Sequence, residues 1–212
     1  MSADDAKAER RHPGLNLGAG HGSADDEAEN AVFGFWVFMA SDLVLFGCMF
    51  AVYAASLGAL AGGLGPKDLF DLRPAFVETL LLLTSSFTVG LALLSLKHER
   101  ENAPRTLGWL GVTLLLGFAF LGMEVRDFVS VAGEGGLPQA SGWLSAFWGL
   151  VPLHFLHVSG ACLWLLCIFL QIAVHGIDTP VKLALLRLGI LWHFLDVVWI
   201  GIVSLVFLGG LA

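Results

Sequence analysis

Charged residues are scarce in this chain: only 14% of its 212 residues are Asp, Glu, Lys or Arg, whereas 57% are hydrophobic. A typical soluble domain carries about 25% charged residues, so the chain lacks the polar side chains needed to cover a surface exposed to water. Lipid must therefore surround most of it. The net charge of −7 also offers no basic footprint for DNA or RNA. The composition excludes a soluble globular enzyme, a nucleic-acid-binding protein and a disordered scaffold.

Cysteine and the common catalytic motifs are equally scarce. The three cysteines, Cys48, Cys162 and Cys167, lie in apolar runs without C-x-x-C spacing, so we expect reduced thiols that behave as small hydrophobic residues. The sequence contains no G-x-S-x-G or H-E-x-x-H motif and no glycine-rich phosphate loop. These absences leave no motif that predicts hydrolysis or nucleotide chemistry.

Long apolar runs are abundant. Five of them cover about residues 32–58, 75–96, 106–129, 143–174 and 184–210, and each is long enough to cross the bilayer as a helix, which needs about 20 residues. They do not alternate between apolar and polar residues, as the strands of a transmembrane barrel do. We therefore predict an all-α, polytopic membrane protein. A polar, acidic tail over residues 1–30 precedes a bundle of five transmembrane helices within residues 31–212.

The basic residues that flank the predicted spans indicate their orientation. Eight lie in the tail and beside the breaks after the second and fourth spans: Lys7, Arg10, Arg11, Lys97, Arg100, Arg105, Lys182 and Arg187. The opposite side has Lys67, Arg73 and Arg126. Because cytoplasmic loops are enriched in Lys and Arg, we expect the N-terminus and its tail in the cytoplasm and the C-terminus in the periplasm.

A few polar side chains lie within the predicted spans, where an ionised group costs about 2.5–3.5 kcal/mol at the helix centre. They are the candidate site residues Asp42, Glu78, Glu124, His154, His157, Trp192, His193 and Asp196. No Lys or Arg lies deep in a span to neutralise the carboxylates. These acids must therefore be protonated, hydrogen-bonded or close to a polar interface.

Spacing leaves three interpretations of these residues open. His154 and His157 share one helix face, as do His193 and Asp196, because each pair is three residues apart. The first interpretation is a metal or haem site, to which His157 and His193 could supply axial ligands. The second is a network in which imidazoles and carboxyls hydrogen-bond one another or hold a lipid headgroup, with Trp192 beside it. The third is a path for protons or ions.

Small residues also recur on the first predicted helix. Gly47, Ala51 and Ala55 are spaced four residues apart and form a flat strip on which another helix can approach closely. We interpret this strip as a helix-packing surface.

Five sequence segments, in the same order, resemble the five helices of subunit III of the haem–copper terminal oxidases. The likeness covers about residues 31–212 and is closest to the five-helix subunit III of bacterial bo-type ubiquinol oxidases. The segments are Phe33–Asp42 followed by Phe46, Phe76–Ser86, Gly122–Glu124, Ser141–Phe147 with His154–Gly160, and Leu191–Trp199.

The resemblance implies a non-catalytic subunit of a proton-pumping ubiquinol oxidase in the bacterial inner membrane. The haems and copper of the complex would belong to subunit I, and this chain would carry no cofactor or metal of its own. It would brace subunit I, bind phospholipid through the polar residues of its spans, and associate with subunits I, II and IV. Two alternatives stay open: subunit III of a cytochrome c oxidase, and a haem- or metal-binding membrane enzyme.

Overall fold

Five long helices dominate the fold of the computed structural model, which describes residues 23–62, 64–69, 72–98 and 103–209. These residues form α1 (Ser23–Ser56), the short α2 (Pro66–Leu69), α3 (Leu72–His98), α4 (Ala103–Gly133), α5 (Gly142–His175) and α6 (Thr179–Ile202), with a π-helical extension over Val203–Leu208. No strand occurs in these ranges. Five of the helical stretches are long and apolar enough to cross a membrane. The predicted all-α bundle of five transmembrane helices is thus confirmed.

The helix ends differ by a few residues from the predicted spans because polar capping residues extend the apolar runs. The last span was expected to begin near residue 184, but α6 begins at Thr179. Asp178 caps it by accepting a hydrogen bond from the Val181 N–H, and Pro180 occupies its first turn, where a missing N–H does no harm. Ser141 caps α5 in the same way through the Leu144 N–H.

The acidic tail lies only partly within the described residues. Residues 1–22 fall outside them, and the backbone is helical from Ser23 onward as the first part of α1.

The bundle is built around α5 and α6, and α1 lies at its edge. α3 packs against α4 and α6, α4 also packs against α5, and α1 packs against α5 and α6. In the span Thr179–Leu208, which contains α6, half of the most apolar stretch is buried inside the protein. In the span Val32–Ser56 of α1, the buried share is 17%. The core contains three fully buried indoles, Trp143, Trp192 and Trp199.

Close packing of glycines occurs on the inner helices. A methyl group added at Gly117 of α4 would lie 2.9 Å from the Cys162 sulfur. One added at Gly189 of α6 would lie 2.7 Å from the Leu93 side chain.

The predicted packing strip on α1 faces outward within this chain. Gly47, Ala51 and Ala55 are exposed, and a methyl group added at Gly47 would meet no described atom within 4 Å. The opposite face of α1 carries the contacts instead, through Met39, Phe46 and Tyr53. A helix that packs on the strip would have to come from another chain, so that role stays a prediction.

Candidate functional site

A pair of polar side chains joins α1 to α5. The Nδ1–H of His157 donates a hydrogen bond to the Leu153 carbonyl at 2.8 Å, and its Nε2 lies 3.9 Å from the Asp42 carboxylate. Since a carbonyl can only accept, the proton on Nδ1 is assigned, and Nε2 is the nitrogen that faces Asp42. The imidazole of α5 and the carboxyl of α1 therefore face each other across the contact between the two helices.

His154 lies one turn before His157 but belongs to the core. It is fully buried, donates its Nε2–H to the Leu195 carbonyl at 3.2 Å, and stacks on Trp199 with ring centroids 5.4 Å apart. The rings of Phe46 and Phe120 meet it edge-on. Its Nδ1 has no hydrogen-bond partner in the described part of the chain. His154 therefore fastens α5 to α6.

His193 and Asp196 of α6 meet through a hydroxyl of α3. The Ser86 oxygen lies 2.6 Å from His193 Nδ1 and also hydrogen-bonds Asp196. The three groups form a short relay in which the hydroxyl donates to one neighbour while it accepts from the other. The predicted shared face of His193 and Asp196 is present, but Ser86 bridges them.

The neighbouring indoles also bond to hydroxyls of α3. Trp192, a candidate for a headgroup contact, is buried and donates its indole N–H to Ser85 at 3.0 Å. Trp199 donates to Thr79 at 3.1 Å.

Hydroxyl pairs join α3 to α4 as well. The oxygens of Thr88 and Thr113 lie 2.7 Å apart, and those of Ser95 and Thr106 also lie 2.7 Å apart. Reasoning from the sequence missed these residues because a membrane helix tolerates Ser and Thr at any position, where they bond to their own backbone. The available signal is the recurrence of hydroxyls along α3 at helical spacing: Thr79, Ser85, Ser86, Thr88 and Ser95.

Glu78 and Glu124 lie beside a cavity of about 330 Å³ at the end of the bundle where α1 ends and α3 begins. We refer to it as the end cavity. Glu78 is 1% exposed and Glu124 is 3% exposed. Neither carboxylate oxygen of Glu78 has a hydrogen-bond partner among the described residues. Two further carboxyl side chains, Asp127 and Glu134, and the guanidinium of Arg126 also line it.

The candidate haem ligands lie at different helix interfaces. His157 is held between α1 and α5, whereas His193 bonds to α3. Within the described ranges, no group of three or more His, Cys, Asp and Glu side chains is arranged to hold a metal ion. The arrangement can fasten helices and hold protons.

These features define a class of protein: a polytopic helical membrane protein whose polar side chains mainly connect its own helices. Comparison with known proteins identifies the family. Residues 20–210 match the family described as cytochrome c oxidase subunit III. The chain belongs to this family, the subunits III of the haem–copper oxidases, which confirms the resemblance found in the sequence.

Three relatives illustrate the range of the family. Cytochrome bo(3) ubiquinol oxidase subunit 3 of Pseudomonas aeruginosa is 44% identical over 92% of both chains. Probable quinol oxidase subunit 3 of Staphylococcus epidermidis is 35% identical over 89% of this chain and 94% of its own length. Cytochrome c oxidase subunit 3 of Bacillus sp. strain PS3 is 36% identical over 87% of this chain and 88% of its own length. This chain is therefore a multi-pass bacterial membrane protein that associates with other subunits of a terminal oxidase.

Proposed function

We propose that this chain is the non-catalytic subunit III of a proton-pumping oxidase that takes its electrons from ubiquinol. The supporting observation is the identity of 44% with a bo(3) ubiquinol oxidase subunit over 92% of both chains. The haems and copper reside in subunit I, and subunits II and IV complete the complex in the bacterial inner membrane.

The electron donor can be tested on the intact complex. The tagged chain is purified in mild detergent with the subunits it retains, and oxygen consumption is measured with ubiquinol and with reduced cytochrome c. We expect oxygen uptake with ubiquinol, and a subunit II without a copper-binding motif. Uptake with cytochrome c alone would assign the chain to the alternative, a cytochrome c oxidase.

Bracing of subunit I is the first structural role that we propose. The outward strip Gly47, Ala51 and Ala55 lets a foreign helix come close to α1. Substitution Ala51→Trp should fill that space and lower the amount of subunit I that is purified with the chain several-fold. Leu115→Trp is the control, since Leu115 is exposed on α4, away from α1. Equal recovery of subunit I with both variants would contradict this role.

Phospholipid binding is the second role. Beside the exposed His193 runs a groove whose other lining residues are mostly apolar and come from α3: Leu83, Ser86, Phe87, Gly90, Leu91 and Leu94. An acyl chain fits the apolar walls, and the outer nitrogen of His193 can donate to an ester carbonyl when Nδ1 accepts from Ser86. Counting lipid phosphorus per complex tests this role. His193→Ala should lose a lipid that Val197→Ala retains, and equal counts would contradict it.

The orientation is the third element of the proposal and follows from the basic residues that flank the spans. Cysteines introduced at Ala61 and at His175, in a chain without its native cysteines, would lie at opposite ends of the bundle. A reagent that cannot cross membranes should label Ala61→Cys from the periplasm, and His175→Cys only after the membrane is opened. The reverse pattern would invert the orientation.

A further inference from the structure

The end cavity holds two buried carboxyl groups that play no part in the proposed bracing or donor specificity. We propose that Glu78 and Glu124 form a proton-binding site: together they retain a proton and exchange it with water through the end cavity. The inference depends neither on the electron donor nor on the orientation of the chain.

The packing of α3 against α4 places Glu78 and Glu124 beside the same cavity. Glu78 lies near the beginning of α3 and Glu124 in the second half of α4, and these antiparallel helices pack closely along their length. Both side chains line the end cavity. Both oxygens of Glu78 are buried and lack a hydrogen-bond partner among the described residues. A buried carboxylate in that state is strongly disfavoured.

The charged groups on the cavity wall do not neutralise the charge that Glu78 and Glu124 would carry if both were ionised. α4 supplies every other ionisable group on the cavity wall: Arg126, Asp127 and Glu134. The parts of the wall formed by α2, α5 and the π-helical extension are apolar: Leu69, Phe147, Val151 and Phe207. One guanidinium thus faces four carboxyls. Arg126 alone cannot neutralise both buried acids, and we expect them to hold one proton between them because burial and neighbouring like charges both disfavour ionisation of a second carboxyl.

Water can reach the pair from one end. A volume of about 330 Å³ accommodates several water molecules, and exposed residues of the α4 terminus, Arg126, Ser130 and Glu134, line it. The exchange is a simple transfer: the protonated carboxyl gives H⁺ to a water molecule, which leaves a carboxylate and hydronium, and the reverse step restores the acid. The other buried acids, Asp42 and Asp196, do not line this cavity, so Glu78 and Glu124 are the buried acids among the described residues that can exchange through it.

Infrared spectroscopy of the purified complex tests for the retained proton. At neutral pH, we expect a carbonyl stretch of a protonated carboxyl that shifts after transfer to D₂O. The double variant Glu78→Gln/Glu124→Gln should lose this band, whereas Asp42→Asn and Asp196→Asn should keep it. Glutamine preserves the shape of the side chain, and assembly is checked by subunit content. An unchanged band in the double variant would overturn the proposal, and so would absence of the band from the unaltered complex.

The exchange route has a matched test on α4. Ser130→Trp places an indole over the cavity rim and should slow deuterium exchange of the band several-fold. Val129→Trp adds the same group at the preceding, exposed position, which does not line the cavity, and should leave exchange unchanged. Equal exchange rates for both variants would refute access through the end cavity. Neither readout involves turnover, so failure of the donor assignment would not affect the result.

Discussion

The first and last spans have almost the same hydropathy but opposite surroundings. The mean hydropathy is 2.0 for the span Val32–Ser56 and 2.1 for the span Thr179–Leu208. The buried share of the most apolar stretch is nevertheless 17% in the first span and 50% in the last. A high mean hydropathy indicates that a segment is stable in the hydrocarbon core of a membrane. It does not report whether lipid or protein surrounds the segment, because hydrocarbon tails are as apolar as leucine side chains.

The contacts of the two spans explain this difference. α6 buries Leu185, Leu188 and Trp199 among its neighbours, and its indoles and Asp196 bond to hydroxyls of α3. α1 turns one row of side chains inward and leaves large apolar residues such as Trp36 and Val44 exposed. Substitutions at buried positions of α3 to α6 should therefore lower the stability of this subunit far more than comparable substitutions at exposed positions of α1.

The largest effect is expected from His154→Ala at the contact of α5 with α6. Removing the imidazole leaves a void beside Trp199 and removes the hydrogen bond to the Leu195 carbonyl, so we expect the free energy of unfolding to fall by about 2–4 kcal/mol. Thermal unfolding in mild detergent, followed by tryptophan fluorescence, measures it. The control is His157→Ala on the same helix, where the side chain is only partly buried. An equal loss for both variants would show that burial in the core is not the cause.

The next effect is expected from Gly117→Ala on α4. Its new methyl group would press on the Cys162 sulfur and, at 3.2 Å, on the Trp192 ring, and overpacking of this kind costs about 1–3 kcal/mol. Gly122→Ala on the same helix meets no described atom within 4 Å and should leave stability unchanged or slightly raise it. Equal melting temperatures for the two variants would mean that α4 does not approach the core as closely as described.

A smaller effect is expected from Ser86→Ala, which removes the hydroxyl shared by His193 and Asp196. The loss should be about 1 kcal/mol, the usual value for a hydrogen bond. Thr84→Ala is the matched control, because the Thr84 hydroxyl bonds to the Leu80 carbonyl of its own helix. Unfolding curves that coincide for Ser86→Ala and the unaltered chain would reject the α3–α6 relay as a stabilising contact.

The smallest effect is expected on α1. Val44 is 67% exposed and Val198 of α6 is 4% exposed, so Val44→Ala should change stability by less than about 0.5 kcal/mol. Val198→Ala should cost clearly more, since it opens a void. Unfolding of the isolated full-length chain in detergent compares them. If Val44→Ala were the more damaging of the two, α1 would have to be a central helix.

The sequence predicted the overall architecture because span length and apolar composition follow directly from the thickness of the bilayer. It also identified the buried ionisable residues, since a charge within an apolar run is conspicuous. It did not reveal Ser86 as the partner of His193 and Asp196, because Ser86 belongs to a different helix. For the same reason it did not reveal that Ser85 and Thr79 accept hydrogen bonds from the indoles of α6. Nor did it show that Gly117 packs closely against other helices of this chain, whereas the strip on α1 faces outward. A small residue permits close approach of a helix in either case.

The sequence by itself therefore determined that this protein crosses a membrane five times, and the family to which it belongs. Only the tertiary structure decided which helix is central, that Asp42 faces His157 whereas Asp196 meets Ser86, and that Glu78 and Glu124 border one cavity. The physical reason is that insertion into lipid depends on each segment separately. The pairing of polar groups depends on how the helices rotate and pack against one another.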